Sequence, residues 1–159
     1  VLGTQSAGKS SLLESVIGYD FLPRGGGVVT RRPLELRMVR EKMLAKPYGV
    51  FKGFADKIED FDKIRYSQKP ITLYSKNVYR KTIEMLTDKV AGGNKGIVDD
   101  PIVLTVYSPD CPDLTIIDLP GICRNPTGDQ PKNIDQITIN MVTKYCRDER
   151  TVILAVVPV

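Results

Sequence analysis

Residues 3–10 of the chain, GTQSAGKS, constrain its fold more than any other stretch, because they match the phosphate-loop pattern G-x-x-x-x-G-K-[ST] in full. In such a loop, successive backbone N–H groups surround a phosphate, and the positive end of the next helix faces it. Lys9 is expected to reach the β- and γ-phosphates, and the Ser10 hydroxyl to ligate Mg²⁺. A chance turn before a helix is the alternative, but the amphipathic spacing that follows the loop favours a nucleoside triphosphate site.

Apolar periodicity predicts strands that alternate with helices. Apolar runs predict strands over residues 34–39, 102–107, 114–118 and 151–157, and spacings of three and four predict helices from Lys9 to about Gly18 and around residues 54–64, 78–90 and 134–145. The last run, TVILAVV, is of the kind that is buried on both faces of a parallel sheet. We therefore expect a three-layer α/β fold with a mainly parallel central sheet.

The composition makes several kinds of chemistry improbable. The chain contains no histidine, so the commonest general base and the commonest zinc ligand are missing. The net charge is only +4 and the basic residues are dispersed, which gives no support to nucleic-acid binding. Cys111, Cys123 and Cys146 lack C-x-x-C spacing, so we expect free thiols in the cytoplasm, and no apolar stretch is long enough to span a membrane.

Asp118 closes the apolar run LTIID and begins the sequence DLPG. An aspartate at the end of a strand is by itself more often a turn residue. Here it starts the D-x-x-G arrangement of GTPases, in which the carboxylate reaches Mg²⁺ and the backbone N–H of Gly121 approaches the γ-phosphate. Together with the phosphate loop, this pattern favours a GTPase over an ATPase.

Thr30 lies in GGGVVTRRP, between the first predicted helix and the next strand. GTPases carry at this place a switch threonine that binds Mg²⁺ and senses the γ-phosphate. The preceding glycines would let such a segment become ordered when nucleotide binds. A loop with a solvated threonine is the alternative if the other motifs are set aside.

Ile122 departs from the pattern of the small GTPases, which place a glutamine directly after the D-x-x-G glycine to orient the attacking water. An isoleucine cannot do this. The candidates for the missing polar group are Gln5 and Ser6 of the phosphate loop, so we expect each of them to affect hydrolysis more than nucleotide affinity.

Guanine is normally read by the motif [NT]-K-x-D, and the chain contains no complete copy of it. NKGI at residues 94–97 has Ile97 in place of the carboxylate and precedes DLPG, and TKYC at residues 143–146 fails in the same way. The chain also starts without methionine and stops within a strand-like run. We therefore expect a piece of a longer protein that is truncated before the guanine-specificity motif.

The motifs GTQSAGKSS, LPRGGGVVTRRP, DLPG and GDQP together resemble the GTPase domain of the dynamin superfamily of large GTPases. Only residues 41–90 lack diagnostic motifs. The resemblance implies that residues 1–159 are part of such a domain, with the P-loop GTPase fold, GTP or GDP as the nucleotide and Mg²⁺ as the cofactor. It also implies hydrolysis of GTP to GDP and phosphate, although we expect the isolated chain to be poorly active.

The resemblance implies a role for each matching residue. Catalysis would fall to Gln5, Ser6, Lys9 and Thr30, and Mg²⁺ would be held by Ser10, Thr30 and Asp118, the last directly or through water. Nucleotide contacts are implied at Gly3, Ser6, Ala7, Gly8, Lys9, Ser10, Ser11, Arg24, Gly25, Gly27, Asp118 and Gly121. Ser6 and the carbonyls of Gly25 and Gly27 would hold K⁺ or Na⁺ near the phosphates.

Arg31 and Arg32 follow the switch threonine directly. The resemblance implies that they help to orient the switch and oligomer contacts. A solvated basic pair before Pro33 is an equally good interpretation of the sequence.

The resemblance further implies that GTPase domains pair face to face across the nucleotide and that the parent protein forms higher oligomers. A helical bundle, a stalk and any lipid-binding module would lie outside this chain, so the parent protein would be cytoplasmic with peripheral membrane association. A GTPase of membrane fission, remodelling or vesicle traffic is the first hypothesis. The alternatives are a nucleotide-regulated assembly protein of the antiviral type and an ATP-dependent P-loop enzyme.

Overall fold

The computed structural model describes residues 1–4, 7–18, 22, 30–45, 47–52, 73–92, 96–122 and 133–157. They form the strands and helices β1 (Leu2–Gly3), α1 (Lys9–Ile17), β2 (Leu34–Arg40), β3 (Tyr48–Phe51), α2 (Leu73–Ala91), β4 (Ile102–Ser108), β5 (Leu114–Asp118), α3 (Ile134–Cys146) and β6 (Ala155–Val156). The three predicted helices and three of the four predicted strands that lie within this part are confirmed to within a few residues at their ends, and the exception is the last strand. The helix predicted around residues 54–64 lies outside the described residues.

The strands form a mixed arrangement. One sheet has the order β3-β4-β2-β5, and β1 pairs with β6. The pairs β2–β4 and β1–β6 are parallel, whereas β2–β5 and β3–β4 are antiparallel. The prediction of a mainly parallel sheet was therefore wrong for the described strands.

The antiparallel direction of β5 has a physical cause in the length of the connection before it. Residues 109–113 are all that joins β4 to β5. A parallel crossover needs a dozen or more residues, so a link this short returns the chain in the opposite direction. Since β4 runs parallel to β2, β5 must run antiparallel to β2.

Strand β1 lies next to the end of β5 and connects the two sets of strands. The nitrogen of Val1 donates a hydrogen bond to the carbonyl of Ile117 at 2.5 Å. Ile122 N donates to Gly3 O at 3.1 Å, and Thr4 and Ile122 form a parallel bridge. The phosphate-loop strand thus lies between β5 and β6.

The run 151–157 differs from the prediction of a strand buried on both faces. Only Ala155–Val156 pairs as a strand, and Val152 is 93% exposed. Ile153, Leu154 and Val157 are exposed as well. Among the described residues, β6 pairs with β1 alone, so no second strand covers its other edge.

The core lies against one face of β2 and β4. Every second residue of these strands is buried, which places Leu34, Leu36 and Met38 beside Ile102, Leu104 and Val106, where Ile83 and Leu86 of α2 join the same cluster. A second cluster contains Ile97, Leu119, Ile134 and Met141. None of the described helices has the length and the apolar character that crossing a membrane would require.

Candidate functional site

The phosphate loop connects β1 to α1, as its sequence predicts. Gly8 has φ of 89°, a left-handed conformation that disfavours side chains, and α1 begins at the next residue, Lys9. Gly3 is required for a different reason, because a Cβ atom there would lie 2.6 Å from the carbonyl oxygen of Val156 in β6. These two glycines let the chain leave a closely packed strand and turn directly into a helix.

Lys9 is buried, with 8% of its surface exposed. Its Nζ donates hydrogen bonds to Thr4 O at 3.1 Å and Gly3 O at 3.4 Å. Burial lowers the pKa of Lys9, and the charge of Asp118 opposes that shift. The ammonium is therefore folded back over the start of the loop, within electrostatic range of a carboxylate, where it can interact with a bound anion.

Asp118 is the last residue of β5 and is 3% exposed. Burial raises its pKa to about 6, although the charge of Lys9 acts in the opposite direction. Its Oδ1 atom has no hydrogen-bond partner among the described residues. A buried carboxylate oxygen without a partner is costly, which suits a site built to bind a cation or its water.

The D-x-x-G turn lies against the phosphate loop. The backbone pairing of Ile122 with Gly3 and Thr4 places the turn that begins at Asp118 beside the start of the loop. Gly121 directly precedes this pairing and is half-buried. The structure thus brings together Gly3, Lys9, Asp118 and Gly121, four of the residues that the motifs single out.

Thr30 is half-buried and precedes β2 in the chain. Leu34, the first residue of β2, is paired with Asp118, so the chain that follows Thr30 enters the sheet beside this carboxylate. The structure describes Ala7 and Ser10 as half-buried and Ser11 as exposed. Gln5, Ser6, Arg24, Gly25 and Gly27 lie outside the described residues.

Arg32 is buried, with only 1% of its surface exposed, so the interpretation of a solvated basic pair was wrong for this residue. Its guanidinium donates to Leu86 O at 2.6 Å, to Asp100 O at 2.7 Å and to Asp100 Oδ2 at 2.7 Å. Burial lowers the pKa of Arg32, and the charge of Asp100 opposes the shift. Three well-placed acceptors explain why an arginine is tolerated inside the fold.

Arg31 is also engaged rather than solvated. Its Nη1 donates to Gly92 O at 2.8 Å, and its Nη2 forms an ion pair with Asp88. Both acceptors lie at the C-terminal end of α2, where a cation also interacts favourably with the helix dipole. The two arginines therefore fix the chain directly after Thr30.

Leu22 is fixed in a similar way on the other side of the glycine-rich stretch. Its N–H donates to Glu14 Oε1 at 2.9 Å, and its carbonyl accepts from Arg80 Nε at 2.9 Å. Leu22 and Glu14 are both buried. Glu14, Arg80 and the role of Leu22 were not predictable from the sequence, because hydrogen bonds between residues far apart in sequence leave no local pattern.

Ile97 belongs to the buried cluster with Leu119, Ile134 and Met141. It stands where a base-reading carboxylate would be in NKGI, and its burial among apolar side chains agrees with the conclusion that this segment does not read a base. Asn94 and Lys95 lie outside the described residues.

Comparison with known proteins agrees with the resemblance drawn from the motifs. The model of the dynamin family matches residues 1–159. The chain is 46% identical over 158 residues to Dynamin-3 of Mus musculus and 47% identical over 161 residues to Dynamin of Drosophila melanogaster, in each case over 99% of this chain and 16% of the relative. It is 43% identical over 169 residues to Dynamin-1-like protein of Danio rerio, over 98% of this chain and 22% of that relative. The chain thus spans less than a quarter of the length of these relatives.

Proposed function

Because this chain belongs to the dynamin family, we propose that it binds GTP together with Mg²⁺ and takes part in hydrolysing GTP to GDP and phosphate. The single observation that carries this proposal is the burial of both Lys9 and Asp118 at the phosphate loop, where the charge of each acts on the pKa of the other. A cation and a carboxylate in this position are suited to a magnesium nucleotide, since the ammonium faces phosphate oxygens and the carboxylate faces the metal.

The described residues fit Mg²⁺. Oxygen donors are the ligands that Mg²⁺ prefers, and it usually takes only one or two from the protein and the rest from phosphate and water. Asp118 offers a buried oxygen with no other described partner, and Ser10 lies in the first turn of α1 with a hydroxyl. With Thr30 as a third donor, these residues would hold the ion, which supplies charge neutralisation of the phosphate oxygens.

The proposed reaction is attack of a water molecule on the γ-phosphorus. The water oxygen forms a bond to phosphorus, the bond to the bridging oxygen breaks, and the water proton leaves with the phosphate product. Lys9 would stabilise the negative charge that develops on the β- and γ-phosphate oxygens, and Gly121 would offer its backbone N–H to the γ-phosphate. Thr30 would sense that phosphate and help to position the water.

Orientation of the water needs a polar group other than Ile122. The backbone N–H of Ile122 already donates a hydrogen bond to the carbonyl of Gly3, and the side chain of Ile122 is apolar. We assign this task to Gln5 and Ser6, and we assign the holding of K⁺ or Na⁺ to Ser6 together with the carbonyls of Gly25 and Gly27. Ala7, Gly8, Ser11 and Arg24 would complete the contacts to the nucleotide.

The complete domain is proposed to be a three-layer P-loop GTPase fold. The parent protein would form a GTPase-domain dimer and larger assemblies in the cytoplasm, associate peripherally with membranes through regions outside this chain, and drive fission, remodelling or vesicle traffic. The relatives compared above are dynamins and a dynamin-1-like protein, which favours this hypothesis over an antiviral-type assembly protein. We propose no nucleic-acid partner.

Nucleotide titrations test the proposal. Fluorescent analogues of GTP and ATP are added to the natural full-length protein with Mg²⁺ or with a chelator. We expect GTP to bind at least about tenfold more tightly than ATP, and Asp118→Asn to weaken Mg²⁺-dependent binding by about tenfold, as expected for one charged contact. The matched control is Asp113→Asn, since Asp113 is an exposed aspartate that accepts a hydrogen bond from Arg40 N at the other end of β2. Equal binding of GTP and ATP would contradict the proposal.

A further inference from the structure

Helix α2 holds both ends of the segment that contains Thr30. At the N-terminal end, Arg80 Nε donates to the carbonyl of Leu22 at 2.9 Å. At the C-terminal end, Arg32 Nη1 donates to Leu86 O at 2.6 Å, and Arg31 pairs with Asp88. One helix therefore carries anchors on both sides of the proposed switch threonine.

The anchoring contacts lie at two separate places along α2. Arg80 and Asp88 are eight positions apart, which corresponds to about 12 Å at 1.5 Å per residue. A further anchoring contact lies just beyond the end of α2, where the carbonyl of Gly92 accepts a hydrogen bond from Arg31 Nη1 at 2.8 Å. Holding Leu22 and the two residues after Thr30 on one helix restricts the positions that Thr30 can take relative to the sheet.

The helix itself is firmly packed. Tyr79, Ile83 and Leu86 are buried in the core cluster that also contains β2 and β4 side chains. The hydroxyl of Tyr79 accepts from Gly49 N at 2.8 Å and donates to Gly49 O at 3.2 Å, which ties the helix to β3. A packed helix joined to the sheet provides a fixed reference for the segments that it anchors.

We propose that α2 is the platform that positions Thr30, and that Arg80 is a positioning residue for GTP hydrolysis through its hydrogen bond to Leu22. This inference rests on the proposed function, in which Thr30 acts on the γ-phosphate and the water. In this proposal Arg80 acts through Leu22 and not by contact with the nucleotide. It fixes the start of the segment, while Arg31 and Arg32 fix its end.

The test compares two neighbouring cations of α2 in the natural full-length protein. Arg80→Met removes the donor to Leu22 and retains most of the side-chain volume. Lys81→Met is the matched control, because Lys81 is the next residue on the helix and is exposed. We expect Arg80→Met to lower kcat for GTP about tenfold, as for the loss of one charged hydrogen bond, with KM changed less than about twofold. Lys81→Met should leave both constants unchanged.

A double-mutant cycle separates positioning from general stability. If Arg80 acts through Thr30, then Arg80→Met added to Thr30→Ala should lower the residual single-turnover rate by less than about twofold. Arg80→Lys keeps a charged donor and should recover part of the lost kcat. If Arg80→Met does not fold, the same cycle with Arg80→Lys decides the question.

The inference is overturned if Arg80→Met behaves like Lys81→Met, or if its effect adds fully to that of Thr30→Ala. Failure of the proposed function gives a different result. In that case the wild-type protein has no GTP turnover that Lys9→Ala abolishes, whatever the Arg80 variants do.

Discussion

Lys9 and Asp118 are both buried at the phosphate loop, and the charge of each opposes the pKa shift that burial imposes on the other. The two groups come from distant parts of the sequence, Lys9 from the start of α1 and Asp118 from the end of β5. Their burial is a cost to the fold in the absence of ligand. We interpret it as preorganisation for an anion and a cation that arrive together.

Lys9→Met tests the phosphate contact. The substitution retains the apolar stem and removes the donor that lies over Gly3 and Thr4. We expect GTP affinity to fall roughly 10- to 100-fold, as for one or two charged hydrogen bonds to phosphate. The measurement is isothermal titration of the full-length protein with GTP and Mg²⁺. Lys81→Met serves as the control, and similar affinities for the two variants would contradict the assignment.

The effect of Asp118→Asn on the free energy of unfolding, measured as a function of pH, tests how much the buried carboxylate destabilises the fold. Burial raises the folded-state pKa to about 6 from an ordinary value of 3.8, so the folded chain binds this proton more tightly than the unfolded chain does. The contribution of Asp118 to stability therefore falls as the pH rises from about 4 to about 6 and stays low above that. We expect Asp118→Asn to raise the free energy of unfolding of the nucleotide-free protein at pH 7.5 by up to about 3 kcal/mol.

The gain should shrink toward zero below about pH 3, where the wild-type carboxyl is largely protonated in both the folded and the unfolded state. Urea unfolding at several pH values, without Mg²⁺ or nucleotide, gives the comparison. A gain in stability that is independent of pH would show that burial of the ionised Asp118 carboxylate does not destabilise the fold.

Gly3→Ala tests the contact between β1 and β6. The new Cβ would meet the carbonyl oxygen of Val156 at 2.6 Å, and this neighbour is backbone that cannot rotate away. We expect a loss of about 1–3 kcal/mol in the free energy of unfolding, as for other overpacked sites. Nucleotide affinity should fall as well, because the loop starts at this residue.

Gly92→Ala is the comparison for Gly3→Ala. Gly92 has φ of 66° and open space around its Cβ position, so it reports the conformational cost alone, about 1 kcal/mol. It lies outside the phosphate loop, and its substitution should leave nucleotide affinity unchanged. Equal affinity losses in the two variants would refute this account of Gly3.

Arg32→Met tests the buried guanidinium. The change removes the donor to Leu86 O and to Asp100 Oδ2, at a position where only 1% of the wild-type residue's surface is exposed. We expect a loss of about 2–4 kcal/mol in the free energy of unfolding. Arg37→Met is the surface control, because Arg37 pairs with Glu35 at 2.6 Å but is 43% exposed, and such pairs contribute about 0–1 kcal/mol. Comparable losses in urea unfolding would contradict the assigned role of Arg32.

The sequence was sufficient to predict the elements that carry their own local pattern. The phosphate loop, α1 and the strand that ends at Asp118 follow from a motif or an apolar period, and such signals need no knowledge of distant residues. The family followed from the same motifs. The electrostatic coupling of Lys9 and Asp118 was foreseeable because the phosphate-loop and D-x-x-G motifs assign both residues to the same magnesium nucleotide.

Features that depend on long-range pairing were not predictable in the same way. The antiparallel direction of β5 depends on its pairing with β2, and β3 is a short strand that no motif marks. The burial of Arg32 depends on acceptors at Leu86 and Asp100, which are 54 and 68 positions away. A basic pair in sequence looks the same whether it is solvated or buried.

Phosphate release from GTP is the most direct test of the central claim that this loop serves GTP hydrolysis. The natural full-length protein is assayed with GTP and with ATP, in K⁺ and Mg²⁺, over a range of protein concentrations, beside Lys9→Ala. We predict turnover of GTP alone, with a specific rate that rises with concentration as the GTPase domains pair, and no turnover in Lys9→Ala. Turnover that survives in Lys9→Ala, or equal turnover of ATP and GTP, would contradict the account.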